Sequence, residues 1–311
     1  MLVLAVLWAA SCQPAPEQRP AAAASPAAQA TATLYPPLRW QFPPLYEPPD
    51  NRATPVKVEL GRQLFFDPVL SASNAMSCAT CHHPDLGFSN GAAVSSARPG
   101  AAPRNVATLW NSGYNQLLLW DGRETSLESQ ARLPLTLASE MAADPEALVA
   151  ELAAIPAYGE LFAAAFPEEA QAVSFETIRR ALAAFQRTLI SDDSPFDRFA
   201  AGDQAALSPA QQRGLALFFS QRARCAECHT PPSFASETFR VIGVDSADPG
   251  RAGVSPSGVP GAFKVPTLRN IAATAPYMHD GSLATLQALL DFYSERAARA
   301  RGVANVDPFV T

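Results

Sequence analysis

The chain has 311 residues, 48% of them hydrophobic and 17% charged, with a formal net charge of −6. That length and apolar share exclude wholesale disorder and allow one or two domains whose cores need no disulfide staples. Lys57 and Lys264 are the only lysines, the other 21 cations are Arg, and no basic run exists to neutralise a phosphate backbone, so no nucleic-acid partner is expected.

Leu2 to Ala10 is a short apolar run ending in Ala9-Ala10-Ser11-Cys12. A bilayer span needs about 20 apolar residues, so residues 1–12 read as an export signal. Small residues leading into Cys12 resemble a lipoprotein signal, with Cys12 as a lipidated membrane tether. No Lys or Arg precedes the run, and a plain secretory signal is the alternative. Residues 13–33 are mainly Ala, Pro, Gln and Ser, the composition of a disordered linker. From Leu34 to Pro55, prolines punctuate Tyr35, Trp40, Phe42 and Tyr46, which predicts an extended arm on the first domain.

Helical spacing then predicts helices over Val58–Phe66, Asp144–Ala153 and Phe175–Ile190, the last capped by Ser174. Ser191 to Ser208 is rich in Asp, Ser, Pro and Gly and reads as the boundary between domains. Ser208-Pro209 opens a helix over Ala210–Phe219. Leu283–Arg299 is a last helix, with Leu286, Leu289, Leu290 and Tyr293 on one stripe, which points Tyr293 inward. No stretch alternates as a sheet strand does, so the expected fold is mainly α.

The chain repeats itself. Gly61 to Phe66 precedes Cys78-Ala79-Thr80-Cys81-His82, and Gly214 to Phe219 precedes Cys225-Ala226-Glu227-Cys228-His229. Pro84 and Phe88 follow the first motif, Pro231 and Phe234 the second. Pro103-Arg104-Asn105-Val106-Ala107 is echoed by Leu268-Arg269-Asn270-Ile271-Ala272, and Asp121-Gly122 with Ser126-Leu127 by Asp280-Gly281 with Thr285-Leu286. Residues 34–199 and 200–311 therefore form two tandem domains. The second has no counterpart of the Phe175–Ile190 helix, so it is expected to lack its last helix.

Cys-x-x-Cys-His is the attachment signal of c-type haem: two thiols on one turn add to the vinyl groups, and the adjacent His falls under the iron. A zinc ribbon would need its second Cys pair about 15–20 residues on, whereas Cys81 and Cys225 lie 144 apart. Disulfides would not require a His after each pair, and a thioredoxin-like site needs a βαβ setting. Two covalent haem c groups are expected, on Cys78, Cys81 and His82 and on Cys225, Cys228 and His229. For the opposite faces only His83 and His279 remain among the His, with Met76, Met141, Met278, Tyr277 and Tyr293; counting does not choose among them.

These motifs, with Leu119-Trp120-Asp121-Gly122-Arg123, Val265-Pro266-Thr267-Leu268-Arg269-Asn270 and Ala275-Pro276-Tyr277-Met278-His279-Asp280-Gly281, resemble the bacterial di-haem cytochrome c peroxidase family, and within it the MauG-like subgroup of methylamine utilisation. The resemblance covers roughly residues 40–310. It implies two cytochrome c-like helical domains in the periplasm, a peroxide-reactive haem on His82 and an electron-relay haem on His229. It further implies Trp120 between the haems, Gln130, Pro134 and Glu140 in the distal pocket, and Glu140 as the acid–base carboxylate that moves a proton during O–O cleavage. Calcium is implied at Asn105, Thr274 and Pro276, the last two through carbonyls, an all-oxygen set that suits Ca²⁺.

Three departures follow. The loop from Ser89 to Arg104 holds no His to block the first haem. Tyr293 stands fourteen residues beyond His279, where the peroxidases ligate the relay haem with Met and MauG uses Tyr; a tyrosinate would lower that haem's potential. Position 223, a surface Trp in MauG, is Ala. The resemblance implies hydrogen peroxide as substrate, with electrons from a small cytochrome c or cupredoxin, or oxidation of an unknown protein substrate. A pure electron-transfer cytochrome and a maturation enzyme for a partner protein are the alternatives.

Overall fold

The computed structural model describes residues 40–95, 103–294 and 302–310. The export signal, Cys12, the linker and the continuation of the last helix beyond Ser294 lie outside them.

The described residues are mainly helical. In chain order the helices are α1 (Pro55–Phe66), the one-turn α2 (Cys78–Cys81), α3 (Leu127–Thr136), α4 (Pro145–Ala154), α5 (Pro156–Ala165), α6 (Phe175–Arg187), α7 (Pro195–Ala200), α8 (Pro209–Phe218) and α9 (Leu286–Ser294). Two-residue strands β1 (Phe239–Arg240) and β2 (Phe263–Lys264) pair antiparallel, a ladder that the absence of alternation did not predict. No single helix among the described residues is long and apolar enough to cross a membrane.

Local chemistry sets the helix ends. Thr54, Ser126, Asp144, Ser174 and Ser208 each accept a first-turn N–H, and Pro occupies the first turn of α1, α4 and α8, where its missing donor costs nothing. Reading from the first apolar residue placed α1 three residues late, because Pro55 and Val56 precede the periodic stretch. α6 ends at Arg187 rather than Ile190, where Thr188 N–H turns back to the Phe185 carbonyl.

The largest core gathers around α1 and α6. Leu60, Leu64 and Phe65 pack with Ile178, Ala181 and Leu182, and α4 and α5 close it with Leu152, Phe162 and Phe166. Gly61 lets the two helices touch: a Cβ there would collide with the Ala181 carbonyl oxygen. Its counterpart on α8, Gly214, has nothing within 4 Å of the same position. Three residues on, Leu64 is fully buried while its counterpart Leu217 is 48% exposed. Among the described residues, no helix stands against α8 as α6 stands against α1.

The duplication is a duplication of loops. Thr108 and Thr267 each donate a 2.6 Å hydrogen bond to the loop after the Cys motif, at the Gly87 and Ser233 carbonyls. Asn111 (φ 59°) and Asn270 (φ 56°) each open a 3-10 turn in the left-handed region, which Asn tolerates. Gly122 and Gly281 both take φ 64°. The matched residues are thus Thr108-Leu109-Trp110-Asn111 and Thr267-Leu268-Arg269-Asn270. This corrects the pairing of 103–107 with 268–272: similar letters fall at different distances from the turn glycines, and the turn fixes the register.

Because α1 is covered at Gly61 and α8 is open at Gly214, Gly61→Ala is expected to cost at least about 1–3 kcal/mol by overpacking. Gly214→Ala is expected to be neutral or to stabilise by up to about 1 kcal/mol through helix propensity. Urea unfolding of the two variants checks this; equal losses would mean that both helices are covered.

Candidate functional site

Each Cys motif ends by presenting an imidazole from a fixed frame. Ser77 and Thr80 form a capping box around α2, and the chain turns back so that His83 pairs with Ser89. Phe88, at φ 56°, then aims its carbonyl at His82 Nδ1, 2.9 Å away. The second motif repeats this with a Thr230–Ala235 pairing, Phe234 at φ 51° and 2.9 Å from His229 Nδ1 to the Phe234 carbonyl. A carbonyl can only accept, so Nδ1 carries the proton in both rings and Nε2 keeps its lone pair. Burial pushes both imidazoles below the ordinary histidine value, which keeps them neutral. A neutral imidazole with a committed Nδ1–H is what an iron ligand requires, since it leaves the lone pair on Nε2. The four thiols beside them are free, and burial raises each, Cys78 to about 12. Both sites fit a covalently attached haem c.

The turn after α3 approaches the first motif at Glu140, which acts electrostatically on Cys81. Gln130 and Pro134 lie one helical turn apart. Glu140 follows, and burial raises its carboxyl above the ordinary value while Arg123 opposes the shift. Glu140 acts in turn on Cys81, adding to the rise of that thiol. Sequence reasoning missed Arg123, which is held at 2.6 Å by Asp121 and is signalled only by its place after Asp121-Gly122.

In the second module α9 is the counterpart of α3, each opening five residues after its turn glycine. Counted from the turn glycines, Tyr293 stands where Pro134 stands, twelve residues on. Tyr293 keeps 38% of its surface accessible, yet enclosure by protein pushes its hydroxyl up to about 12, with Cys228 and Cys225 adding to the rise. The electrostatic influence of Cys225 and Cys228 sets the Tyr293 hydroxyl on the side of the second thiol pair. The apolar stripe is corrected: Phe292 is the buried residue of α9, and Leu290 is 60% exposed. Among the other candidate ligands, Tyr277 spends its hydroxyl on the Ile271 carbonyl at 3.0 Å, and Met141 is packed into the first core.

The two modules meet along a seam of loops. Trp120 donates from Nε1 to the Asn105 carbonyl at 2.9 Å and accepts at its own carbonyl from Lys264 N–H at 2.8 Å. Asn105 N–H bonds the His279 carbonyl at 2.7 Å, and its Nδ2 faces the carbonyls of Ala92, Ala93 and Pro276 at 3.0–3.4 Å. Thr274 touches the first module at Gly87. His279 is buried, lies flat on Phe263 at 3.7 Å and meets the Trp120 ring edge-on at 6.4 Å.

Two buried ion clusters lock the seam. Arg104 bridges Asp121 and Asp248, each at 2.7 Å, and Arg251 donates to the Asp121 and Gly122 carbonyls. Arg269 forks onto Asp197 at 2.7–2.8 Å and also donates to the Ser191 and Pro232 carbonyls. None of these pairs shows in the sequence, because the partners are 17 to 144 residues apart.

Paired modules, each with two free thiols and one prepared imidazole, define a two-haem c-type oxidoreductase. Residues 55–205 match the family model described as di-haem cytochrome c peroxidase. The methylamine utilization protein MauG of Methylorubrum extorquens is 44% identical over 252 residues, 79% of this chain and 70% of that protein. The cytochrome c551 peroxidase of Pseudomonas aeruginosa is 35% identical over 282 residues, 84% of this chain and 79% of that protein. A crystal structure of a MauG-like protein associated with microbial copper homeostasis superposes with a TM-score of 0.76 at 37% identity, covering 82% of this chain and 81% of that one. The chain belongs to the di-haem cytochrome c peroxidase family, in its MauG-like branch. It is an oxidoreductase of that type, and the family implies two c-type haems.

The Arg269–Asp197 fork generates a stability prediction. Burial alone would raise the Asp197 carboxyl, but the guanidinium and Ser194 hold it below its ordinary value of 3.8. Arg269→Leu would leave that charge unpaired and is expected to cost about 3–5 kcal/mol. The folded carboxyl is depressed, so its stabilisation is complete above pH 3.8 and is lost as pH falls through the depressed value. In Asp197→Asn that part of the acid dependence disappears; an unchanged acid-unfolding curve would exclude the pair as its source.

Proposed function

We propose that the chain is a periplasmic di-haem peroxidase of two cytochrome c-like domains, residues 34–199 and 200–311. Cys78, Cys81 and His82 would hold a first haem, which would supply the chemistry for hydrogen peroxide. Cys225, Cys228, His229 and Tyr293 would hold a second haem, which would supply electron transfer. The observation that carries this reading is the substitution at one repeated position: Pro134 in the first module, Tyr293 in the second. Proline offers no ligand atom and a phenolate offers a strong one. A first iron would thereby find no protein ligand at this position, and a second would find the Tyr293 phenolate.

When bound, the haems supply the iron redox chemistry that reduces peroxide. His82 would offer Nε2 to its iron because Nδ1 is committed to the Phe88 carbonyl. The Glu140 carboxylate takes the proton of the incoming peroxide and returns it to the departing oxygen, while Arg123 and Gln130 orient the polar side of the pocket. Trp120, fixed at Nε1 and at its carbonyl, stands between the modules as the path for electrons. Asn105, Thr274 and Pro276 would hold Ca²⁺ in the seam; the Pro276 carbonyl, 3.4 Å from the Asn105 side-chain amide, supports two of the three. The electron donor is a small cytochrome c or cupredoxin, or the equivalents pass to a protein substrate in the manner of the MauG relatives. Cys12 tethers the exported chain to a membrane.

Glu140→Gln is expected to leave haem loading intact and to lower peroxide turnover by about 10²–10⁴-fold. Burial raises this carboxyl, and only its ionised form accepts a proton, so wild-type turnover falls as pH drops through the raised value. The variant loses that limb, which a pH–rate profile reads. Tyr293→Phe is expected to turn the second haem from six- to five-coordinate in resting spectra; an unchanged spectrum would return Tyr293 to a packing role. Resting spectra with both irons six-coordinate would favour the electron-transfer cytochrome instead.

A further inference from the structure

The arm at the start of the described chain carries an oxidisable side chain that the proposed mechanism leaves unused. Trp40 is partly buried and sandwiched between Phe196 (5.2 Å, 17°) and Phe219 (5.5 Å, 11°). Its Nε1 is buried and has no hydrogen-bond partner among the described residues. A buried indole N–H ordinarily finds an acceptor; here the ring is held by stacking alone.

The stack leads to the second motif. Phe196 meets Phe234 at 4.8 Å, and Phe219 reaches the same ring through Phe218, at 5.4 and 5.7 Å. Phe234 is the residue whose carbonyl holds His229 Nδ1. Two routes of touching rings therefore join Trp40 to the proximal ligand of the second haem. The contacts of 5.2 and 4.8 Å bound the Trp40–Phe234 ring separation at about 10 Å.

We infer that Trp40 is an electron-transfer station between the protein surface and the second haem. The inference rests on the peroxidase reading above. Among these rings only the indole is readily oxidised; the phenylalanines are spacers. Once peroxide has oxidised the haem held by Cys225, Cys228 and His229, Trp40 gives it one electron: the haem is reduced by one equivalent and the indole becomes a cation radical. No bond forms or breaks. With no acceptor at Nε1, the proton stays on the ring, so the indole is restored by one electron alone, from a one-electron donor meeting the arm at the surface. Tyr114, stacked on the neighbouring Phe42 at 4.4 Å, would have to shed its phenol proton to do the same.

The test uses the haem-loaded full chain, treated with hydrogen peroxide without reductant. Trp40→Phe keeps the stack and loses no hydrogen bond, so folding and haem content should match the wild type. The oxidised haem spectrum is expected to persist about tenfold longer in the variant. The wild type should show a tryptophan radical by paramagnetic resonance that the variant lacks, and oxidation products at Trp40 by peptide mapping. If peroxide changes no spectrum, the peroxidase reading fails and this inference with it. If the oxidised state forms but decays equally in both proteins, with Trp40 unmodified, only the assignment of Trp40 is overturned.

Discussion

The structure depends on one hydrogen bond made twice: from a histidine ring to the carbonyl of a phenylalanine in the left-handed region. It fixes the tautomer, so it decides which nitrogen is free for a metal. It also fixes the loop, because the carbonyl reaches the ring only when the backbone turns with positive φ. The threonine four residues before each 3-10 turn then ties the following segment to the same loop. Attachment, ligand orientation and module architecture are one construction, and each part fails without the others.

On that repeated frame the two modules differ where chemistry needs them to. Twelve residues after the turn glycine, the chain holds Pro134 in one module and Tyr293 in the other. Glu140, raised by burial and watched by Arg123, has no described counterpart. The supporting helix differs too: α6 covers α1, whereas α8 presents Gly214 and Leu217 to the outside. A symmetric fold thus yields two unlike sites, through substitutions at a few positions rather than through a different architecture.

Between the modules, polar groups that would be costly to bury alone are paired across the seam. Arg104 and Arg269 each satisfy a buried carboxylate from a distant part of the chain and donate to nearby carbonyls or ions. Trp120 lies inside this framework with both its N–H and its carbonyl committed. These clusters and hydrogen bonds hold its ring at a fixed place in the seam.

The sequence by itself determined the attachment motifs, most helix starts and the duplication. These are local facts: a cap, a proline or a Cys-x-x-Cys-His acts on residues within a turn or two of itself. The tertiary structure decided the register of the repeat, which turn glycines and threonines set and letter similarity misplaced. It also decided that Phe292, not the Leu290 side of the stripe, is the buried residue of α9, because the apolar pattern alone did not say which face meets protein. The ion clusters, the cradle at Asn105 and the stack on Trp40 were illegible for the same reason. Their partners are far apart in the chain, and only the packing of loops against loops brings them within bonding distance.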